Sequence, residues 1–551
     1  MLITPNSRII LLKNPIEMDN LNQLTFSNAT AQYNYFYGLT KLECENATYQ
    51  RKDDVIRFPT DPTLSGTTYE DLLQYNYCMY QNTAWDNKWF YAFIKKITFD
   101  NPGMSLIEIE TDVYQSWMFN ITWKKCFVER EHVNNDTAGL HTIPENLETG
   151  EYIIDNIIKK KGFEYSNCSF ILATTIFPYV TQDGDGNWVL SGGRASHCNV
   201  YNSILSGVEY YWYLNTDNGI TQLQHVIEAF DRAGQADYIY MLFVAPNESF
   251  EKVLEEDVGY WGSVKKKQGS YHVLWSSNST SDITKPTTVD GYTPKNKKLL
   301  TYPYCYLLMN NGNGGNAIYH YELFKDNEAP TLCEFLIDCA ICPGVSTILR
   351  PIYYKKKDTN NPYIQMDSLP GGKYPMCSWN SDAYINWLTQ NSVNIAFQWG
   401  RDILNTGLNI VNKNATGAVL SGFNLIEDIM KVKKQQELLS EEAKGNLNSG
   451  DVNFSNNETT FTAYKMCIKE ENARIIDDYF SMYGYQVNSL KIPNITGRTN
   501  WNYVKTVGCN IVGNIPQADI EKIKEIFNNG VTLWHNSSTF LDYSQSNNIV
   551  T

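Results

Sequence analysis

Few residues in this chain have types and spacing suited to chemistry. Glu129, Glu131 and His132 stand within four positions of one another. On an extended strand Glu129 and Glu131 share a face, as a paired acid and base would. A solvated or intersubunit role suits them better, because none of the 7 His residues sits in a catalytic spelling. Cys333, Cys339 and Cys342 contain a Cys-x-x-Cys but lack a fourth ligand at zinc-finger spacing, so buried small hydrophobes are the better reading. Asp183, Asp185 and Asn187 imitate the opening of a calcium loop. Trp188 then stands where a Gly is needed and Arg194 where a Glu is needed, which leaves a polar hairpin tip. Gly312–Gly315 is a turn tip without the Lys-Ser/Thr of a nucleotide loop. Lys265–Lys267 and Lys295–Lys298 could touch phosphate but read as solvated loop charge. No catalytic group, cofactor or metal site is assigned, and the expectation is a protein that is not an enzyme.

The elements that would carry these residues are mostly strands. Residues 86–133 read DNKWFYAFIKKITFDNPGMSLIEIETDVYQSWMFNITWKKCFVEREHV. Strand-like alternation runs from Lys88 to Phe99, breaks at Asn101-Pro102-Gly103 and resumes from Ser105 to Tyr114, which predicts a long hairpin. Trp89, Phe90, Tyr91, Phe93, Ile107 and Ile109 put aromatic and β-branched side chains on both faces. A sheet dressed that way is covered on both sides, by its own core or by a neighbouring subunit. Residues 1–60 read as short strands and turns around Tyr33, Tyr35, Phe36 and Tyr37.

Helices are rarer. Residues 219–234 predict one with Ile220, Leu223, Val226, Ile227 and Phe230 on one face; a buried strand, Tyr238–Ala245, follows, making a small α+β unit. Residues 262–298 read as exposed loops. Tyr464–Phe480 reads as a helix with Ile468, Ile475, Ile476, Tyr479 and Phe480 inward. Pro516 and Gly530 bracket another whose stripe is Ile520, Ile523, Ile526 and Phe527. The interval 381–450 stands apart. Ile385, Trp387 and Leu388 follow a helix-start signal at helical spacing, apolar residues recur through Ile395, Phe397, Trp399, Ile403, Leu404 and Leu408, then Val419, Leu420 and Phe423 come in a glycine-spaced piece, then a charged helix, Glu427–Lys444.

Composition bounds the class. With 551 residues, three or four domains are expected, and 42% hydrophobic content supports globular packing. The net charge of −15 argues against a chain that grips nucleic acid through its phosphates, but not against a conduit whose wall repels them. The N-terminus lacks a signal-peptide core, and no run of eighteen apolar residues exists. The 12 scattered Cys residues suit a protein made in a reducing compartment. The fold class is therefore β-rich multidomain, mainly β with α+β insertions.

Several words resemble a family. NKWFYAF, EIETDVYQSWMFNI and REHV in the hairpin, and YGYQVNSLKIPN, WNYVKT and NGVTLWH within 483–535, are similar to segments of the distal tail-tube (tail knob) proteins of phi29-like short-tailed bacteriophages. The LTYPYCYL run at 300–307 anchors the weakly similar middle. The resemblance implies a tube-forming β-barrel domain from residues 1–130 and 455–551, inserted knob domains over 131–390, and a distal tip over 391–454. It implies a ring-shaped homohexamer in the virion, joined to the upper tail or collar protein, with genomic DNA passing through the lumen. Trp89, Phe90, Tyr91, Phe93, Ile107 and Ile109 would then lie in the tube wall. The apolar residues from Ile395 to Phe423 would form a loop that plugs the channel and enters the host membrane. Arg401, Asp402, Lys413, Glu427 and Asp428 depart from the nearly uncharged family loop and are costly in a bilayer. The alternative is a receptor- or glycan-binding tail protein whose exposed Trp and Tyr stack on sugars.

Overall fold

A computed structural model describes residues 7–550 apart from 379–457 and shorter stretches such as 191–198, 325–331 and 356–366. The chain divides into two compact units. Unit 1 comprises Met1–Glu151, Thr288–Tyr304 and Ile468–Thr551; unit 2 comprises Tyr152–Thr287 and Cys305–Cys467.

Unit 1 is built on two sheets. Its N-terminal part runs β1 (Ser7–Leu12), β2 (Asn22–Leu24), α1 (Ala29–Gly38), β3 (Lys41–Ala47), β4 (Val55–Pro59), α2 (Tyr69–Leu72), β5 (Tyr77–Gln81), β6 (Trp89–Asn101), β7 (Met104–Thr111), α3 (Val113–Trp117), β8 (Ile121–Trp123) and β9 (Cys126–Glu131). The first sheet has six strands in the order β3-β1-β5-β6-β7-β4, all paired antiparallel. The second has five, in the order β2, Val531–Trp534, Trp501–Val507, β9 and Tyr485–Lys491. β2 lies parallel to Val531–Trp534, and the other pairs are antiparallel.

The expected hairpin is β6 and β7. Ile97 faces Ile107, and Asn101 closes the turn by accepting the Gly103 N–H at 3.0 Å. Its second arm ends earlier than the pattern predicted, because the Asp112 carboxylate accepts the Gln115 N–H and starts α3. The period-two alternation explains why both faces are apolar. Phe90 and Ala92 join a core with Ile107, Ile109, Trp117 and the stripe Ile520, Ile523, Ile526 and Phe527. Tyr91 and Phe93 join another with Phe36, Tyr77, Trp501 and Trp534. Both faces are therefore covered by the chain's own residues over this stretch. The hairpin is also no edge, since β5 and β4 flank it. The need of a neighbour for its second face disappears.

Unit 2 holds a six-stranded sheet around Cys168–Thr174, and two four-stranded sheets that include Cys305–Asn310 and Leu332–Ala340. The predicted helix spans Asp217–Arg232, with Leu223, Val226, Ile227 and Phe230 buried, and the strand Ile239–Pro246 follows.

Four expectations are corrected. Tyr33–Tyr37 belongs to α1, capped where Asn28 accepts the Ala31 N–H at 2.8 Å; its aromatics are stacked at helical spacing, Tyr33 on Tyr37. Val264–Gln268 and Trp275–Thr284 are strands rather than exposed loops, because each finds a neighbouring strand to pair with. Tyr464–Ile468 completes the strand Glu458–Ile468, and the helix begins only at Glu470. In that helix, Glu470–Tyr483, Ile476 and Phe480 face inward, but Ile475 is 69% exposed because it falls off their stripe. The nine apolar residues expected at the tip, Ile395 to Phe423, lie outside the described residues.

Candidate functional site

The six residues expected in the tube wall stand close together. Phe90, Tyr91, Phe93, Ile107 and Ile109 are buried, and Trp89 is half-buried against Tyr33. Tyr91 lies 4.6 Å from the Phe36 ring, centroid to centroid, and Phe36 stacks on Tyr77. Truncating one such ring costs about 3–5 kcal/mol, so this part of the sheet is well packed by the chain's own side chains.

Around β9 lies a polar network that no short motif announces. Glu131 is fully buried. It takes an ion pair from Lys491 and accepts the Asn494 N–H at 2.8 Å. Glu129 pairs with Lys505 at 2.9 Å. The expected solvated or intersubunit role therefore gives way to ion pairs within unit 1, because the strands Tyr485–Lys491 and Trp501–Val507 flank β9 and bring cations beside it. His132 accepts the Tyr503 N–H on Nδ1 at 2.7 Å, which leaves its Nε2–H to donate to the Ser481 carbonyl at 3.0 Å. Burial and the nearby Arg498 push its pKa down to about 3, so the ring is neutral at physiological pH.

Arg130, pointing the other way, donates to the Gly484 carbonyl at 2.8 Å and pairs with Glu145. Glu145 also takes Lys298 and the Gln486 N–H. Lys298 is buried over the Tyr485 ring, not solvated as its lysine-rich surroundings suggested, and burial lowers its pKa. Tyr485 donates to Asp136 at 2.5 Å. Beside these, Asp477 accepts the Tyr292 hydroxyl and the Lys295 and Asn296 N–H groups at 2.7–3.0 Å. The network clasps three separate stretches of unit 1, around residues 130–145, 292–298 and 477–498.

This arrangement positions backbone; it does not present a reactive group. Its one neutral histidine has both ring nitrogens occupied, and its carboxylates are matched by cations or N–H donors. The other candidates are equally quiet. Asp183 accepts the Asp185 and Asn187 N–H groups at 2.9 and 2.8 Å, closing the hairpin tip. Cys333 is buried in its strand, while Cys342 lies outside the described residues. Among the described residues no group of His, Cys, Asp and Glu could hold a metal ion, and no helix is long and apolar enough to cross a membrane. A cleft of about 230 Å³ at the end of β7 is lined by Phe93, Glu110, Val113, Lys522 and Ile526. Its Glu110 is tied to Lys95 and Lys522. The large aromatics of the described residues serve mainly as core: Trp117, Trp501 and Trp534 are buried.

Residues 270–548, just over half of the chain, match the family model of the C-terminal domain of tail knob protein gp9 of Bacillus phage phi29. The chain belongs to the tail knob protein gp9 family. Its residues 5–124 match a second model, the N-terminus of caudoviral major tail proteins. The chain is 25% identical to the tail knob protein gp9 of Bacillus phage PZA, over 96% of each chain. It is 24% identical to that of Bacillus phage phi29, over 98% of each. The tail knob protein gp12 of bacteriophage C1 shares the fold, with a TM-score of 0.61 and 16% identity over 99% of this chain and 100% of that one. This tail knob protein is a structural component of a short-tailed phage virion, not an enzyme.

Proposed function

We propose that unit 1 forms the wall of the distal tail tube, that six copies close into a ring, and that genomic DNA passes down its lumen during ejection. The match of residues 5–124 to a major tail protein domain carries this reading, because those residues build the whole six-stranded sheet. A wall needs stiffness. The doubly covered β6 and the clasp around Glu131 and Glu145 supply it. A conduit also needs a bore that does not hold phosphate, and a net charge of −15 suits that. The upper tail or collar protein joins one end of the ring. Residues 391–454 are the tip, which plugs the channel and engages the host membrane with Ile395, Phe397, Trp399, Ile403, Leu404, Leu408, Val419, Leu420 and Phe423.

Negative-stain electron microscopy of the purified chain, with native mass spectrometry, tests the reading. The expected particle is a hollow ring of about six times the 63.2 kDa chain mass. Compact monomers at micromolar concentration would remove the ring.

A further inference from the structure

Two patches on unit 1 leave apolar side chains in water. The first is a row across three strands. Leu490 and Val507 both stand opposite Phe127 in register, one on each side of it, so the three share a face. They are 71%, 56% and 40% exposed respectively. Three adjacent apolar side chains form a patch, whereas single exposed hydrophobics need no explanation. The turn leading into this strand carries Lys124 and Lys125, both exposed, and neither has an acidic partner among the described residues.

The second patch is the tip of the β6–β7 hairpin. Phe99 is 52% exposed and meets the Tyr69 ring edge-on at 5.8 Å. Tyr69 is anchored there by donating its hydroxyl to the Ile97 carbonyl at 3.3 Å. Around these rings stand Glu70, Asp71 and Asp100, all exposed.

The two patches are alike in apolar character and opposite in charge. A symmetric dimer through either one would set like charges against each other, which disfavours it. Pairing the first patch of one molecule with the second patch of the next sets Lys124 and Lys125 against Glu70, Asp71 and Asp100. Such a contact is heterologous, and heterologous contacts generate rings when their rotation closes. We infer that the Phe127–Leu490–Val507 row receives the Phe99–Tyr69 hairpin tip of a neighbouring copy of this chain. The inference rests on the ring reading above and adds the surfaces that build it.

The test is native mass spectrometry and sedimentation of the full chain, with the far-UV circular dichroism spectrum as a folding control, because every substituted residue is exposed. Phe99→Ser, and separately Lys124→Glu with Lys125→Glu, should weaken assembly roughly tenfold or more without changing that spectrum. Adding Glu70→Lys and Asp100→Lys to the lysine double variant should restore assembly, since each copy then carries the swapped charges on both faces. If the unaltered chain assembles and these variants assemble equally well, the assignment of surfaces is overturned while the ring stands. If the unaltered chain is monomeric throughout, the ring reading falls and this inference falls with it.

Discussion

Asn296 gives both its backbone N–H, at 3.0 Å, and its side-chain amide, at 2.8 Å, to the same Oδ1 of the fully buried Asp477. The two residues are 181 positions apart. Through this contact the short return segment Thr288–Tyr304 is fixed to the helix Glu470–Tyr483. Asp477→Ala would leave the backbone N–H of the buried Asn296 without its acceptor. We expect a loss of about 3–5 kcal/mol, read as a lower denaturation midpoint, with Asp477→Asn falling between. A change under about 1 kcal/mol would show that the segment is held elsewhere.

Glu145 answers two buried cations at once, Arg130 and Lys298. Glu145→Gln removes the charge both depend on, and about 3–5 kcal/mol should be lost. Lys298→Met keeps the apolar stem over the Tyr485 ring and leaves the Arg130–Glu145 pair in place, so its cost should be clearly smaller. Chemical denaturation of the two variants side by side decides the order; equal losses would contradict it.

Gly484 ends its helix with φ 64°, a conformation that disfavours any side chain, and a Cβ there would collide with the Glu131 carbonyl and the His132 nitrogen. Gly484→Ala should therefore cost about 2–4 kcal/mol. Gly508→Ala, also at positive φ but in open space, should cost about 1 kcal/mol. Their melting temperatures measure the difference that the collision makes.

His132 imposes an acid limit. Its pKa falls from 6.5 to about 3 on folding. Stability from this group is complete above pH 6.5 and is lost as pH falls from there toward 3, because the unfolded chain takes the proton first. The slope approaches ~1.4 kcal/mol per pH unit. Asp112 works in the opposite sense: burial raises its pKa from 3.8 to about 6, so its contribution is full below 3.8 and lost as pH rises through 6. The difference between the unaltered chain and His132→Gln isolates the histidine. That difference should shrink steadily from pH 6.5 to pH 4, and a constant difference would show that folding leaves the His132 pKa unchanged.

Deleting residues 395–430 should leave assembly intact and abolish leakage from anionic liposomes. Sizing and dye release report the two outcomes separately. Loss of the ring would make the segment an internal strut; an unaltered chain that never perturbs liposomes, at neutral or acidic pH, would end the membrane role.

What the sequence discloses follows from how local each signal is. The β6–β7 turn lies in Asn101-Pro102-Gly103, and the final helix shows its stripe within eight residues, so both were legible. Helix α1 reads as strand because tyrosine and phenylalanine favour strands, although Tyr33 and Tyr37 keep helical spacing. The end of the strand Glu458–Ile468, from Tyr464 on, reads as part of the helix after it because its apolar residues run on without a break. The doubly covered hairpin declares itself by doubly apolar alternation, whereas the clasp does not. Glu145 and Lys298 are 153 residues apart, and a lysine within a basic run looks solvated until its partner is known.

The parallel pairing of Asn22–Leu24 with Val531–Trp534 has a consequence in time. The strand that completes the second sheet is translated some five hundred residues after its partner. Until then Trp501, Leu24 and Phe36 lack the Trp534 indole that seals their core. The earlier strands must wait, exposed or chaperoned, while all of unit 2 is synthesised. A chain cut short before residue 531 lacks the strand that joins Asn22–Leu24 to the rest of the second sheet, so the two ends of unit 1 close only on a finished translation product.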